Sequence, residues 1–195
     1  FDAHFDYVPD EAEPGLAKRF DPNYQGKFSG HDWYRDPRVR DPRPPYKRRI
    51  GERDLAHVKA LYDAEIHWVD RHIGKVLDKL RELNLEANTI VVFLGDHGDE
   101  FFEHASIGHC STLYSELTHI PMMMMGPGIP VGKRVNQTVR IFDLAPTVVD
   151  LTGVTPLQRM EGRSLTKAWS ENPPPRPGAL SRVYVPHPDK PFNIR

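Results

Sequence analysis

From Leu55 to Leu83 apolar residues recur at three- and four-residue steps, through Val58, Tyr62, Ile66, Val69, Ile73 and Val76. That is the period of one face of an α-helix. The spacing predicts a helix over 54–83, with Arg and Lys gathered toward its end, where the helix dipole favours cations, and Asn84 as its stop. His57, His67 and His72 on this helix read as surface or packing residues. After a short loop the pattern changes to an unbroken apolar run, residues 89–94, closed by Gly95. Such a run predicts a strand buried on both faces of a parallel sheet. Helix and strand together read as an αβ unit, the helix lying on the sheet face. A second buried strand is expected at Met122–Met125, where flexible methionines fill irregular gaps. A third is expected over Lys133–Arg140. Ser111 is placed to cap a short helix running to Leu117. Asp143 is placed to cap a helix through LAPTVVDLT, with Pro146 in its first turn and Gly153 at its end.

Between Pro9 and Arg53 the periodicity stops. The steps Asp21-Pro22, Asp36-Pro37 and Asp41-Pro42 push the residue before each proline out of the helical region, so no long helix is expected. Residues 35–53 are basic. They read as a solvated loop, with a rim attracting an anionic substrate as the functional alternative. Prolines return at 173–191, where residues 173–177 read as a linker and Arg182–Val185 as the start of a strand.

Composition narrows the function classes. The chain has 195 residues, 38% hydrophobic and 27% charged, with a formal net charge of −1. That balance makes no electrostatic case for nucleic acid or a membrane surface. No apolar run approaches the ~20 residues needed to span a bilayer. With Cys110 as the single cysteine, an internal disulfide is impossible. Beside His109 it invites a nucleophile reading, but a small buried thiol accounts for it as well. The sequence opens on Phe1, and the expectation is a fragment, or a chain whose N-terminal half is not given.

Candidate chemistry gathers where the first strand ends. In α/β sheets ligands bind just past the carboxyl ends of strands, and Asp96 and His97 fall there, between Gly95 and Gly98. A carboxylate and an imidazole flanked by glycines, which let a ligand approach the backbone, suit a divalent cation. Glu103, His104 and His109 follow closely.

The stretch GDHGDEFFEHASIGHCSTLYSELTHIPMMMMGPG resembles the metal-site segment of the sulfatases, in the alkaline phosphatase superfamily. The matching pieces are Gly95-Asp96-His97-Gly98, Phe102-Glu103-His104, Gly108-His109, Thr112-Leu113-Tyr114 and Ile120 through Gly128. The helix before it, the segment 143–153 and Gly162-Arg163-Ser164-Leu165 also follow the family pattern. The resemblance implies an α/β fold with an alkaline-phosphatase-like mixed, largely parallel sheet flanked by helices, incomplete here. It implies residues 1–172 as the C-terminal part of the catalytic domain, and 173–195 as a linker and the start of a small subdomain. It implies Asp96 and His97 as metal ligands, joined in the family by two further carboxylates. The cation would be calcium, with manganese or magnesium as alternatives. His109 would contact the sulfuryl and bridging oxygens. His4, in FDAHFDY, would be the family's substrate-contacting histidine, although Phe5-Asp6 stands where the family commonly has proline. Glu103 and His104 would orient ligands. The family nucleophile, a formylglycine, arises in a C/S-x-P-S/A-R motif, and no such motif occurs in residues 1–195. The implied function is hydrolysis of small-molecule or saccharide sulfate esters. The alternatives are a phosphonate monoester or phosphodiester hydrolase, and a metal-binding module without catalysis. By itself the chain is expected to be inactive and to bind metal weakly.

Overall fold

A computed structural model describes residues 3–4, 6–31, 33–39, 48–109, 112–156, 158–170 and 172–181, with Tyr34 in backbone only. Cys110, Ser111 and Arg182–Val185 therefore lie outside the described residues. The elements in order are α1 (Pro9–Ala12), α2 (Leu16–Phe20), α3 (Glu52–Glu82), β1 (Val91–Leu94), β2 (Glu100–Phe101), β3 (Ile107–Gly108), α4 (Ser115–Thr118), β4 (Met122–Met125) and α5 (Leu144–Thr152). Single 3-10 turns occur at Trp33–Arg35, Glu86–Asn88 and Ile141–Asp143.

Helix α3 forms where the period predicts it, and Asn84 stops it. Asn84 is left-handed, with φ 55°. Its N–H donates to the Arg81 carbonyl, and that of Leu85 reaches the Leu80 carbonyl at 2.9 Å. These are the two bonds of a Schellman cap.

The helix does not cover the β1 sheet, as the αβ reading expected. Its first half buries Leu55, Val58, Leu61 and Ala64, and it packs on α1 and α2. The cluster it joins contains Tyr7, Trp33, Val39, Ile50, Phe101 and Ile107. Trp33, Val39 and Ile50 thus supply core from the segment 9–53, and residues 35–53 do not form only a solvated loop. Among the segment's described cations, Arg38 pairs with Asp36, Arg48 with Glu52 and Arg53 with Asp21. His57 is a packing residue, buried, stacked on Tyr24 at 3.5 Å and 2.9 Å from Asp21. Farther along α3, Ile66 and Val76 remain exposed.

The described strands pair antiparallel, which corrects the parallel expectation at these elements. β1 pairs with β4, Leu94 opposite Met122 and Val91 opposite Met125. β2 pairs with β3, Glu100 opposite Gly108 and Phe101 opposite Ile107. The architecture is mixed α/β all the same. β1 is half-buried along its length, and Met123 and Met125 face out. Among the described residues each of these strands has a neighbour on one edge only, so apolar residues suited to a two-sided core stay partly open. No strand forms over Lys133–Arg140. No described helix is long and apolar enough to cross a membrane.

Candidate active site

Three separate segments deliver the candidate residues. The first is the end of β1. The Gly95 N–H donates to the Pro121 carbonyl and the Gly98 N–H to the Leu117 carbonyl, each at 3.1 Å. These bonds bind the loop Gly95–Gly98 to the segment entering β4. Gly98 is needed for that close approach, since a Cβ there would stand 1.9 Å from the Glu116 carbonyl oxygen. Gly98→Ala should therefore displace the loop and cost about 1–3 kcal/mol, as overpacking does. Thermal melting would check this, and an unchanged midpoint would refute it.

The second segment is the β2–β3 hairpin. Its turn is tight, with Phe102 and Ala105 at φ 71° and 58° and the Phe102 N–H bonded to the Ser106 carbonyl. His109 follows β3 directly. The third segment is the N-terminal one. Tyr7 is fully buried against Trp33, Tyr62 and Phe101, and this anchor carries His4 to the site.

His4, His97 and His109 converge. Ring centroids lie 4.1 Å apart for His97–His109, 4.8 Å for His4–His109 and 5.8 Å for His4–His97. One nitrogen of each lies within 4.8 Å of the others. His97 Nδ1 is 3.1 Å from the Gly98 carbonyl oxygen. A carbonyl only accepts, so Nδ1 carries the hydrogen and a neutral ring presents its lone pair at Nε2. That nitrogen is 4.0 Å from Asp96 Oδ1. Two ligands each about 2.0–2.4 Å from one cation would lie at most roughly 4.8 Å apart, so the pair fits a shared ion. Asp96 itself is open to solvent, its side chain 86% exposed. What burial it has would raise its pKa. The N–H groups of His97 and Asp96, with the imidazoles of His97 and His4, outweigh that and hold the carboxyl below its ordinary value.

Glu103 and His104 have other partners. Glu103 takes the Lys59 ammonium at 2.8 Å and the Phe101 N–H at 2.5 Å, tying the hairpin to α3. His104 stacks on Tyr114 at 3.6 Å, with Nδ1 3.5 Å from both Glu100 and Glu116. As described, both hold the hairpin in place, and neither is engaged with Asp96 or His97. The sequence reading passed over Asp99. Its carboxylate is buried, 2.7 Å from His109 Nδ1 and 2.5 Å from the Tyr7 hydroxyl. Its place opposite His109, one residue before β2, appears only once the hairpin register is known.

Beside the imidazoles opens a cavity of about 430 Å³. Asp96, His97, His109, Thr112 and Arg140 are among its polar lining, while Leu117, Ile120, Val139 and Phe142 contribute an apolar wall.

The mixed α/β scaffold that carries this strand end matches the alkaline-phosphatase-like fold of a partial sulfatase domain. The chain belongs to the sulfatase family, whose model matches residues 4–154. Among curated relatives it is similar to Arylsulfatase K of Canis lupus familiaris, 35% identical over 123 residues, which are 63% of this chain and 23% of that protein. The Homo sapiens Arylsulfatase K is 33% identical over 123 residues, with the same coverage, 63% of this chain and 23% of that protein. The chain thus spans about a quarter of the length of these relatives. Among solved structures it resembles the phosphonate monoester hydrolase SpPMH from Silicibacter pomeroyi, with TM-score 0.61 and 25% identity, covering 89% of this chain and 32% of that one.

Proposed function

We propose that residues 1–195 carry the substrate-contacting histidines and part of the metal site of a sulfuric ester hydrolase. The observation that carries this reading is the convergence of His4, His97 and His109 beside Asp96, from segments far apart in sequence. Asp96 and His97 would hold the divalent cation, calcium in first place and manganese or magnesium as alternatives. The bound ion would supply positive charge against the ester's anionic oxygens. The chain's own residues do the rest. His109 directs Nε2 toward the ester, with Nδ1 held by Asp99, and only as the doubly protonated imidazolium does it donate from Nε2 to the bridging oxygen as that bond breaks, returning to the neutral Nδ1–H ring. His4, 4.8 Å away, contacts the same oxygens. The apolar wall excludes water and receives the organic part of the ester. The nucleophile comes from outside these residues, as a formylglycine. The domain reading, with 173–195 as linker and the start of a subdomain, belongs to the same proposal.

A second reading is favoured by the likeness to the phosphonate monoester hydrolase, since a phosphonate monoester, like a sulfate ester, carries anionic oxygens around the reacting centre. Assaying a protein with the complete domain on an aryl sulfate and the matching aryl phosphonate monoester separates the two. The expected result is a larger kcat/KM on the sulfate. A preference for the phosphonate would transfer the assignment. Turnover of neither would leave the third reading, a metal-binding module.

A further inference from the structure

The hairpin register carries an inference beyond the roles of the histidines. Glu100 pairs with Gly108 and Phe101 with Ile107. One step further along the same antiparallel ladder, Asp99 stands opposite His109. Adjacent cross-strand side chains lie on one face, close enough to bond. Their 2.7 Å contact between Asp99 Oδ1 and His109 Nδ1 follows from this register. The other oxygen, Oδ2, accepts from the Tyr7 hydroxyl at 2.5 Å. Burial and the neighbouring Asp99 carboxylate push the Tyr7 phenol far above its ordinary pKa, so Tyr7 remains a donor. It is also fully buried in the aromatic cluster, so its hydroxyl is fixed in position. Both carboxylate oxygens are thus engaged, one by a core-anchored donor and the other by the imidazole.

We propose that Asp99, clamped by Tyr7, is a positioning residue that fixes the tautomer and ring orientation of His109. A carboxylate accepts only, so it holds the hydrogen on Nδ1 and leaves Nε2 toward the cavity. The arrangement has the logic by which a buried aspartate directs a catalytic imidazole in hydrolytic triads, built here from a hairpin register. The inference rests on the proposed role of His109 for its effect on turnover, but not for its effect on the ring.

The test reads the ring first. Long-range nitrogen–proton NMR on ¹⁵N-histidine-labelled chain, at mildly alkaline pH of about 8 where an ordinary histidine is neutral, reports which nitrogen carries the hydrogen. The expected result is the Nδ1–H form of His109. Asp99→Asn can turn its amide NH₂ toward Nδ1, and should shift the population to Nε2–H. Tyr7→Phe keeps the aromatic packing and removes the clamp, so it should give a mixture of the two forms. In a protein with the complete domain, Asp99→Asn should lower kcat by about 100-fold or more, with KM changed far less. An Nε2–H form in the parent chain overturns the proposal, as does an unchanged tautomer in a folded Asp99→Asn variant. If Asp99→Asn fails to fold, an unchanged tautomer in Tyr7→Phe overturns the clamp. A tautomer shift without any effect on measurable ester turnover would leave Asp99 positioning the ring and remove His109 from the chemistry.

Discussion

Asp96→Ala should lower the affinity for divalent cations by at least about 100-fold, the upper end of what losing a mere orienting group costs a metal site. Calorimetric titration with calcium and manganese, on a protein with the complete domain, measures it. The reasoning starts from the carboxylate's surroundings. Its described hydrogen bond comes from the His97 N–H at 2.9 Å, and backbone dipoles with two imidazoles keep it ionised below the usual carboxylate range. The side chain is 86% exposed, so its removal should leave the thermal midpoint nearly unchanged. This separates a ligand from a scaffold residue. His97→Ala should also weaken the metal, but it breaks the Nδ1–Gly98 contact as well and disturbs the loop. Unaltered cation affinity in a folded Asp96→Ala variant would remove the strand end from the metal site.

Some of this site could be read from the residues, and the reasons differ from element to element. Asp96 and His97 are adjacent in sequence and end an apolar run bounded by glycine, so their location needed no knowledge of the tertiary fold. His109 and His4 were legible only through the family pattern, because the hairpin and the Tyr7 anchor that bring them together are tertiary features. Asp99 was missed because β2 and β3 are two residues each, too short to show alternation, and without the register nothing sets Asp99 apart from its neighbours. The antiparallel pairing of β1 with β4 was not legible for a related reason. Apolar runs report burial rather than orientation, and the partner that settles it lies at Met122–Met125. Helix α3 was placed to within two residues at each end, since its period and its Asn84 cap are local. The surface it covers was not, because a hydrophobic face does not name its partner.

Asp143 shows the same contrast, and losing it should cost more stability than any other single change considered. The sequence reads it as the cap of α5. It does occupy that position, but its side chain makes no cap bond there. The carboxylate is fully buried. It accepts from Arg140 Nη2 at 2.8 Å, Arg176 Nη2 at 2.9 Å and the Arg163 N–H at 2.8 Å. Its own carbonyl takes the Thr147 hydroxyl, whose oxygen in turn accepts the Leu165 N–H. One anion therefore gathers α5, the Gly162–Leu165 turn and the proline-rich segment through Arg176. Asp143→Ala removes the charge that offsets two guanidiniums, and breaking a buried ion pair in this way costs about 3 kcal/mol or more. For a chain of this size the thermal midpoint should fall by roughly 6–12 °C. The pH dependence fixes the cause. Burial would raise the Asp143 pKa, but the bonds from Arg140, Arg163 and Arg176 hold it well below the usual carboxylate range. A depressed folded-state pKa contributes stability that is complete above the unfolded value of about 4 and is lost as pH falls below it. The parent should thus lose stability into acid more steeply than Asp143→Ala, and the two melting curves should approach each other there. A constant gap between them from neutral to acid pH would show that the carboxylate's charge is not what holds these segments together.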